Sequence, residues 1–198
     1  LILLVLTLSV KCGSLIEGEE SDSTGGSSGS GSGSGTSSAS CTGASSVTIS
    51  QLTQSFSYTL SVGSYTHLAQ SFNVSSNRSL TKIEVTIAPV SADTTITMQV
   101  YRDDGTNNPE GGTQLGSTTI TTSGGAYTSY AFSYSQIALT TGQTYYFILQ
   151  SSGGSGSNVQ GVGGDGSAYT DGPIWTKISG TWSVTLSDDL LFSISTCN

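Results

Sequence analysis

Positive charge is scarce in this chain. Five Lys and Arg residues stand against thirteen Asp and Glu, and only 9% of all residues are charged. From Thr42 onward four bases (Arg78, Lys82, Arg102 and Lys177) meet nine acids. Binding to phosphates needs clustered Lys and Arg, so nucleic acid is excluded as a partner. Histidine occurs once, as His67 at the start of an apolar alternation. That rules out His-rich metal centres and multi-His catalysis, and it leaves this side chain a solvated or structural role. Nowhere do apolar residues recur at i, i+3, i+4 and i+7 for long enough to build a helix. No GxSxG element lies between a strand and a helix, as a nucleophile elbow requires. Carboxylates pair at Asp103/Asp104 and Asp188/Asp189, but a glycosidase needs two of them facing each other across a cleft, which spacing does not supply. The expectation is a protein that is not an enzyme.

What the chain has instead is Ser, Thr and Gly. Between Ser23 and Ser40 (STGGSSGSGSGSGTSSAS) no side chain can seed a core and none is charged, so a disordered tether is expected. Ahead of it, Leu1–Val10 (LILLVLTLSV) has the length of a signal peptide and is too short to span a bilayer. Cys12, Gly13 and Ser14 follow. This resembles a bacterial lipoprotein leader, in which the cysteine is acylated and becomes the mature N-terminus. Lys11 departs from the small residue usual before that cysteine. An ordinary secretion signal with an incidental cysteine is the alternative. No Met and no basic segment precede the run, so the chain is expected to begin upstream of Leu1. The layout is then a leader over 1–12, an acidic and Ser/Gly-rich linker over 13–41, and a folded domain over 42–198.

Three cysteines are an odd number, which asks for one with a separate task. If Cys12 carries lipid, Cys41 and Cys197 pair and clamp the ends of the domain. A bridge closing about 157 residues contributes on the order of 5 kcal/mol in the chain-entropy model. It also implies an oxidising compartment. Two free thiols are the alternative.

After Cys41 the apolar period becomes two. Phe56, Tyr58, Leu60 and Val62 alternate with small polar residues, as do Leu68, Gln70, Phe72 and Val74. Ile83–Ile87, Ile96–Val100, Tyr130–Tyr134 and Leu190–Ile194 repeat the pattern. Tyr145–Leu149 (YYFIL) is apolar on both faces, as in a central strand. Trp182 keeps phase with Val184 and Leu186 and is expected in the core. Eight to ten strands broken by Gly, Asn, Asp and Ser clusters predict an all-β, antiparallel, jelly-roll-like sandwich. Two connections are long: Asp103–Thr113, and the Gly- and Ser-rich Ser151–Pro173.

The order of features carries a resemblance. Ala69-Gln70-Ser71-Phe72, Leu80-Thr81-Lys82-Ile83 and Val100-Tyr101-Arg102-Asp103-Asp104-Gly105 form the first part of the series. Leu139–Tyr146 (LTTGQTYY), Trp182 and Asp189-Leu190-Leu191-Phe192 continue it. Across roughly residues 66–195 the chain resembles the bacterial choice-of-anchor R type of extracellular domain. The resemblance implies a jelly-roll-like sandwich displayed at the cell surface and no catalytic residues.

Candidate ligand positions remain. Trp175, Tyr169 and Tyr127 sit in or beside loops, where sugar-binding sandwiches place stacking rings; loop packing is the alternative for Trp175. Asp103, Asp104, Asn107 and Glu110 gather oxygens of the kind calcium accepts, although Asp-Gly and Asn-Asn are also ordinary turn chemistry. The functional expectation is a lipid-anchored, extracytoplasmic module at the cell surface or outer membrane, attached to the membrane through Cys12. It would bind or adhere without catalysis, with a glycan or a protein as ligand. A self-assembling coat protein and an accessory domain of a secreted hydrolase are the alternatives.

Overall fold

The computed structural model describes residues 41, 46–51, 56–61, 65–89, 94–122, 125–152, 157–163, 172–186 and 188–198. The Ser/Gly tether, Cys12 and Tyr169 lie outside them. The described residues all fall within one unit, Ser37–Asn198.

The strands are β1 (Ser46–Gln51), β2 (Phe56–Leu60), β3 (His67–Asn73), β4 (Arg78–Pro89), β5 (Thr94–Arg102), β6 (Thr113–Thr122) and β7 (Thr128–Leu139). They continue as β8 (Thr144–Ser152), β9 (Ser157–Gly163), β10 (Ile174–Ile178), β11 (Thr181–Thr185), β12 (Asp188–Leu190) and β13 (Phe192–Cys197). One sheet runs β1-β13-β4-β9-β12, with β7 also paired to β4 and β2 to β9. The other runs β11-β10-β3-β8-β5-β6. Every pair of these strands is antiparallel, and one isolated bridge, between Leu60 and Tyr65, is parallel. The architecture is the all-β antiparallel sandwich that the alternation predicts.

The inner faces of the two sheets meet in one core. Leu68 and Phe72 of β3, Ile96, Met98 and Val100 of β5, and Tyr145, Phe147 and Leu149 of β8 come from the second sheet. Ile83, Val85, Ile87, Phe132, Phe192 and Ile194 come from the first. Rings stack across the interior: Phe147 meets Phe192 edge-on at 5.3 Å. Each strand contributes every second side chain because Cβ atoms alternate across the pleat.

Gln70 faces this core with no exposure, and its amide makes the burial tolerable. Its Nε2 donates to the Gly172 carbonyl at 2.8 Å and to Asp189 Oδ1 at 3.1 Å, while its Oε1 accepts the Leu190 N–H at 2.9 Å. One side chain thus joins β3 of one sheet to β12 of the other. Gly172 has no room for a Cβ, which would fall 2.1 Å from Ser71 Oγ.

Two expectations need correction. Ser151–Pro173 is not one long loop, because β9 forms inside it and pairs with β2, β4 and β12. Its own side chains say little; the neighbouring backbones supply the ladder, and Val159 plugs the core. The strand count among the described residues accordingly exceeds eight to ten. Trp182, Val184 and Leu186 do share a phase, but it points out of the sandwich: Val184 is 42% and Leu186 80% exposed. Among the described strands β11 is an edge strand hydrogen-bonded to β10 alone, and alternation reports which residues share a face, not which face is inward.

Cys41 and Cys197 are bonded, with Cα atoms 5.6 Å apart and a sequence separation of 156. The bridge ties the start of the sandwich to the end of β13.

Candidate functional site

The outward face of the six-stranded sheet carries a second apolar cluster, and its register follows from the pairing. Trp182, Lys177, His67 and Gln150 stand directly opposite one another on β11, β10, β3 and β8. Two residues along each strand, the same row reads Val184, Trp175, Ala69 and Ile148. The next row places Tyr146 opposite Tyr101. Ala69 and Ile148 are fully buried and Tyr146 nearly so, with Tyr101, Trp175 and Trp182 packed against them. The small Ala69 leaves room for the larger rings beside it. Trp175 meets Tyr146 edge-on at 6.3 Å. Its indole Nε1 is buried without a hydrogen-bond partner among the described residues.

The β10–β11 hairpin that presents both tryptophans turns on Ser179 and Gly180, each with positive φ (50° and 85°). Two successive left-handed residues match the twist of the flanking strands.

The charged part of the site comes from the β5–β6 connection. Asp103 Oδ1 accepts the Gly105 N–H at 3.1 Å, and Asp104 Oδ1 accepts the Thr106 N–H at 3.0 Å and its hydroxyl at 2.5 Å. Asn107 adopts φ 55°, and Asn108 Oδ1 accepts the Glu110 N–H at 3.1 Å. Pro109 is buried. Glu110 then reaches β10 and β11, where its Oε2 accepts from Lys177 Nζ and from Trp182 Nε1 at 3.3 Å. Its Oε1 lies 3.7 Å from His67 Nε2. Lys177 Nζ sits 5.4 Å from the centre of the Trp182 ring, and the His67 ring meets that indole edge-on at 6.0 Å.

Burial and charge set the titration of these groups. Burial holds His67 below its ordinary value; Lys177 adds to this and Glu110 opposes it. Burial pushes the Tyr146 hydroxyl up to about 12, with Asp103 and Asp104 acting in the same direction. Tyr101 is raised by burial and by Glu110. The hydrogen bonds from Thr106 hold Asp104 below the usual carboxylate range.

Of the sequence candidates, Trp175 belongs to this face. Tyr127 does not; it is 39% exposed in the turn between β6 and β7, at the opposite edge of the sheet. Of the oxygen donors, Asp103 and Asp104 cap their own turn while the Glu110 carboxylate reaches Lys177 and Trp182. No three His, Cys, Asp or Glu side chains converge as a metal site among the described residues. Tyr101, Tyr146, His67 and Lys177 were not legible as site members. The two-faced YYFIL run was the available signal, because an outward Tyr146 and Ile148 need something to cover them.

A cleft of about 300 Å³ beside the end of β13 includes Arg78, whose guanidinium is held by Ser76 Oγ and Asn198 Oδ1. It is separate from the aromatic face. No family model matches the chain, and no curated protein matches it.

Proposed function

We propose that this chain is a non-catalytic binding module, lipid-anchored through Cys12 at the cell surface, whose outward aromatic face takes a neutral glycan. The observation that carries this reading is the joint placement of Trp182 and Trp175 with Glu110, Lys177, His67 and Gln150 on one sheet face. An indole offers an apolar face to the C–H surface of a sugar ring, and the surrounding polar groups offer donors and acceptors to its hydroxyls. Lys177 and Glu110 neutralise one another, and the remaining charges beside Tyr146 are the carboxylates of Asp103 and Asp104, so an acidic sugar is disfavoured. The Cys41–Cys197 bridge is compatible with an oxidising compartment. The order of motifs resembles that of choice-of-anchor domains, which implies the same location.

Calorimetric titration with a panel of neutral oligosaccharides tests the reading. Trp182→Ala is expected to weaken binding by about 10-fold or more, as truncation of a central aromatic contact does. Absence of binding to any glycan, or equal affinity in the variant, refutes it.

A further inference from the structure

We infer that β6 is a self-association edge: two copies of this chain pair antiparallel through Thr113–Thr122, extending the six-stranded sheet across a two-fold axis. Strand β6 closes its sheet and is hydrogen-bonded to β5 alone among the described strands. Its ten residues, TQLGSTTITT, include no charge and no proline. Monomeric proteins defend such edges with charges, prolines, bulges or short strands. Here one irregularity falls near the start of β6, opposite Val100 and Tyr101, and leaves Ser117–Thr121 regular. The uncharged edge strands β1 and β2 are shorter, with six and five residues, and two further edges differ in other ways. Strand β11 has five residues, and β7 contains Gln136 at φ 52°.

The occupant is a second copy because the edge complements itself. Pairing centred on Thr119 sets Thr119 against Thr119 and Ser117 against Thr121 on the outward face. On the inward face it sets Thr118 against Ile120. Hydroxyl then meets hydroxyl outside, and β-branched side chains meet inside, which are favourable cross-strand pairs. The sheet already uses this ladder once, where Thr97 Oγ1 and Thr119 Oγ1 lie 3.1 Å apart between β5 and β6. Charge selects the same place. With a net charge of −8, two copies repel over much of their surface, and an uncharged edge is where they approach at least cost. The contact is isologous, so it closes at the dimer and does not propagate. In-plane pairing also keeps both outward faces on one side of the extended sheet, so two aromatic sites would meet one surface together.

Sedimentation equilibrium on the full chain is the test, with wild type beside Thr119→Lys. Wild type is expected to show a reversible monomer–dimer equilibrium. Thr119→Lys places like charges face to face at the axis, and is expected to weaken dimerisation by about 10-fold or more with an unchanged circular dichroism spectrum. Thr119→Cys is expected to form an interchain disulfide on mild oxidation, whereas Ser135→Cys on exposed β7 is not. If Thr119→Lys does not fold, the relative cross-linking of the two cysteine variants decides. A monomeric wild type, which would leave the edge to a peptide of another protein, overturns the inference. So does a dimer that Thr119→Lys leaves intact, or equal cross-linking through both cysteines.

Discussion

The two tryptophans of the outward face differ in one atom's fate. Trp182 Nε1 donates to Glu110, whereas Trp175 Nε1 is buried without a partner among the described residues. An unmatched buried donor costs roughly 1–3 kcal/mol, so removing it is cheap while removing a matched one is not. Trp175→Phe is therefore expected to leave stability nearly unchanged, and Trp182→Phe to lower it by about 1 kcal/mol. Chemical denaturation compares the two, and a larger loss for Trp175→Phe would contradict the assignment. His67 supplies a pH dependence whose sign follows from its lowered folded value. An unfolded histidine titrates near 6.5, so between that and the lower folded value the unfolded chain binds more protons. The contribution is complete above about pH 6.5 and is lost as pH falls through the folded value. The wild-type denaturation midpoint should drop between pH 7 and pH 5, with a shallower drop in His67→Gln. Equal slopes in the two proteins would remove His67 as the source.

Strand β3 shows how an element can be built around a polar residue. Gln70 keeps the inward phase of Leu68 and Phe72, yet its amide is matched by Gly172, Asp189 and Leu190. Gln70→Leu keeps the approximate volume and abandons those groups inside the core. The expected loss is about 2–4 kcal/mol, read from urea denaturation, because a buried carboxylate, a backbone carbonyl and a backbone N–H each lose a hydrogen bond to Gln70 at once. A loss below about 0.5 kcal/mol would mean that water or a neighbouring chain segment replaces the amide. The β5–β6 connection is fixed in a comparable way: at Gly112 a Cβ would fall 1.8 Å from the Arg102 carbonyl oxygen. That backbone approach holds the loop where Glu110 can reach Lys177.

Across the whole folded unit, the longest covalent constraint is Cys41–Cys197, with a sequence separation of 156. In the chain-entropy model such a closure contributes about 5 kcal/mol by restricting the unfolded chain. Replacing both cysteines with serine is expected to lower the melting temperature substantially without altering the β-rich circular dichroism spectrum, since the two-sheet core does not include the bridge. An unchanged melting temperature under reducing and oxidising conditions would show that the bridge adds no stability.

The antiparallel sandwich was legible from the chain itself, because a period of two in Ile83–Ile87, Ile96–Val100 and Leu190–Ile194 reports half-buried strands directly. The pairing of Cys41 with Cys197 was legible as well, from an odd cysteine count and the positions flanking the alternation. Three matters needed the tertiary structure. The direction of Trp182 did, because alternation groups side chains by face and leaves the choice of face to the neighbouring strands. Strand β9 did, because a Gly- and Ser-rich segment has little preference of its own and takes its extended form from the backbones beside it. The outward aromatic site did, because His67, Glu110, Tyr146, Lys177 and Trp182 are far apart in sequence. Strand order and register bring them together, and those depend on how two whole sheets pack.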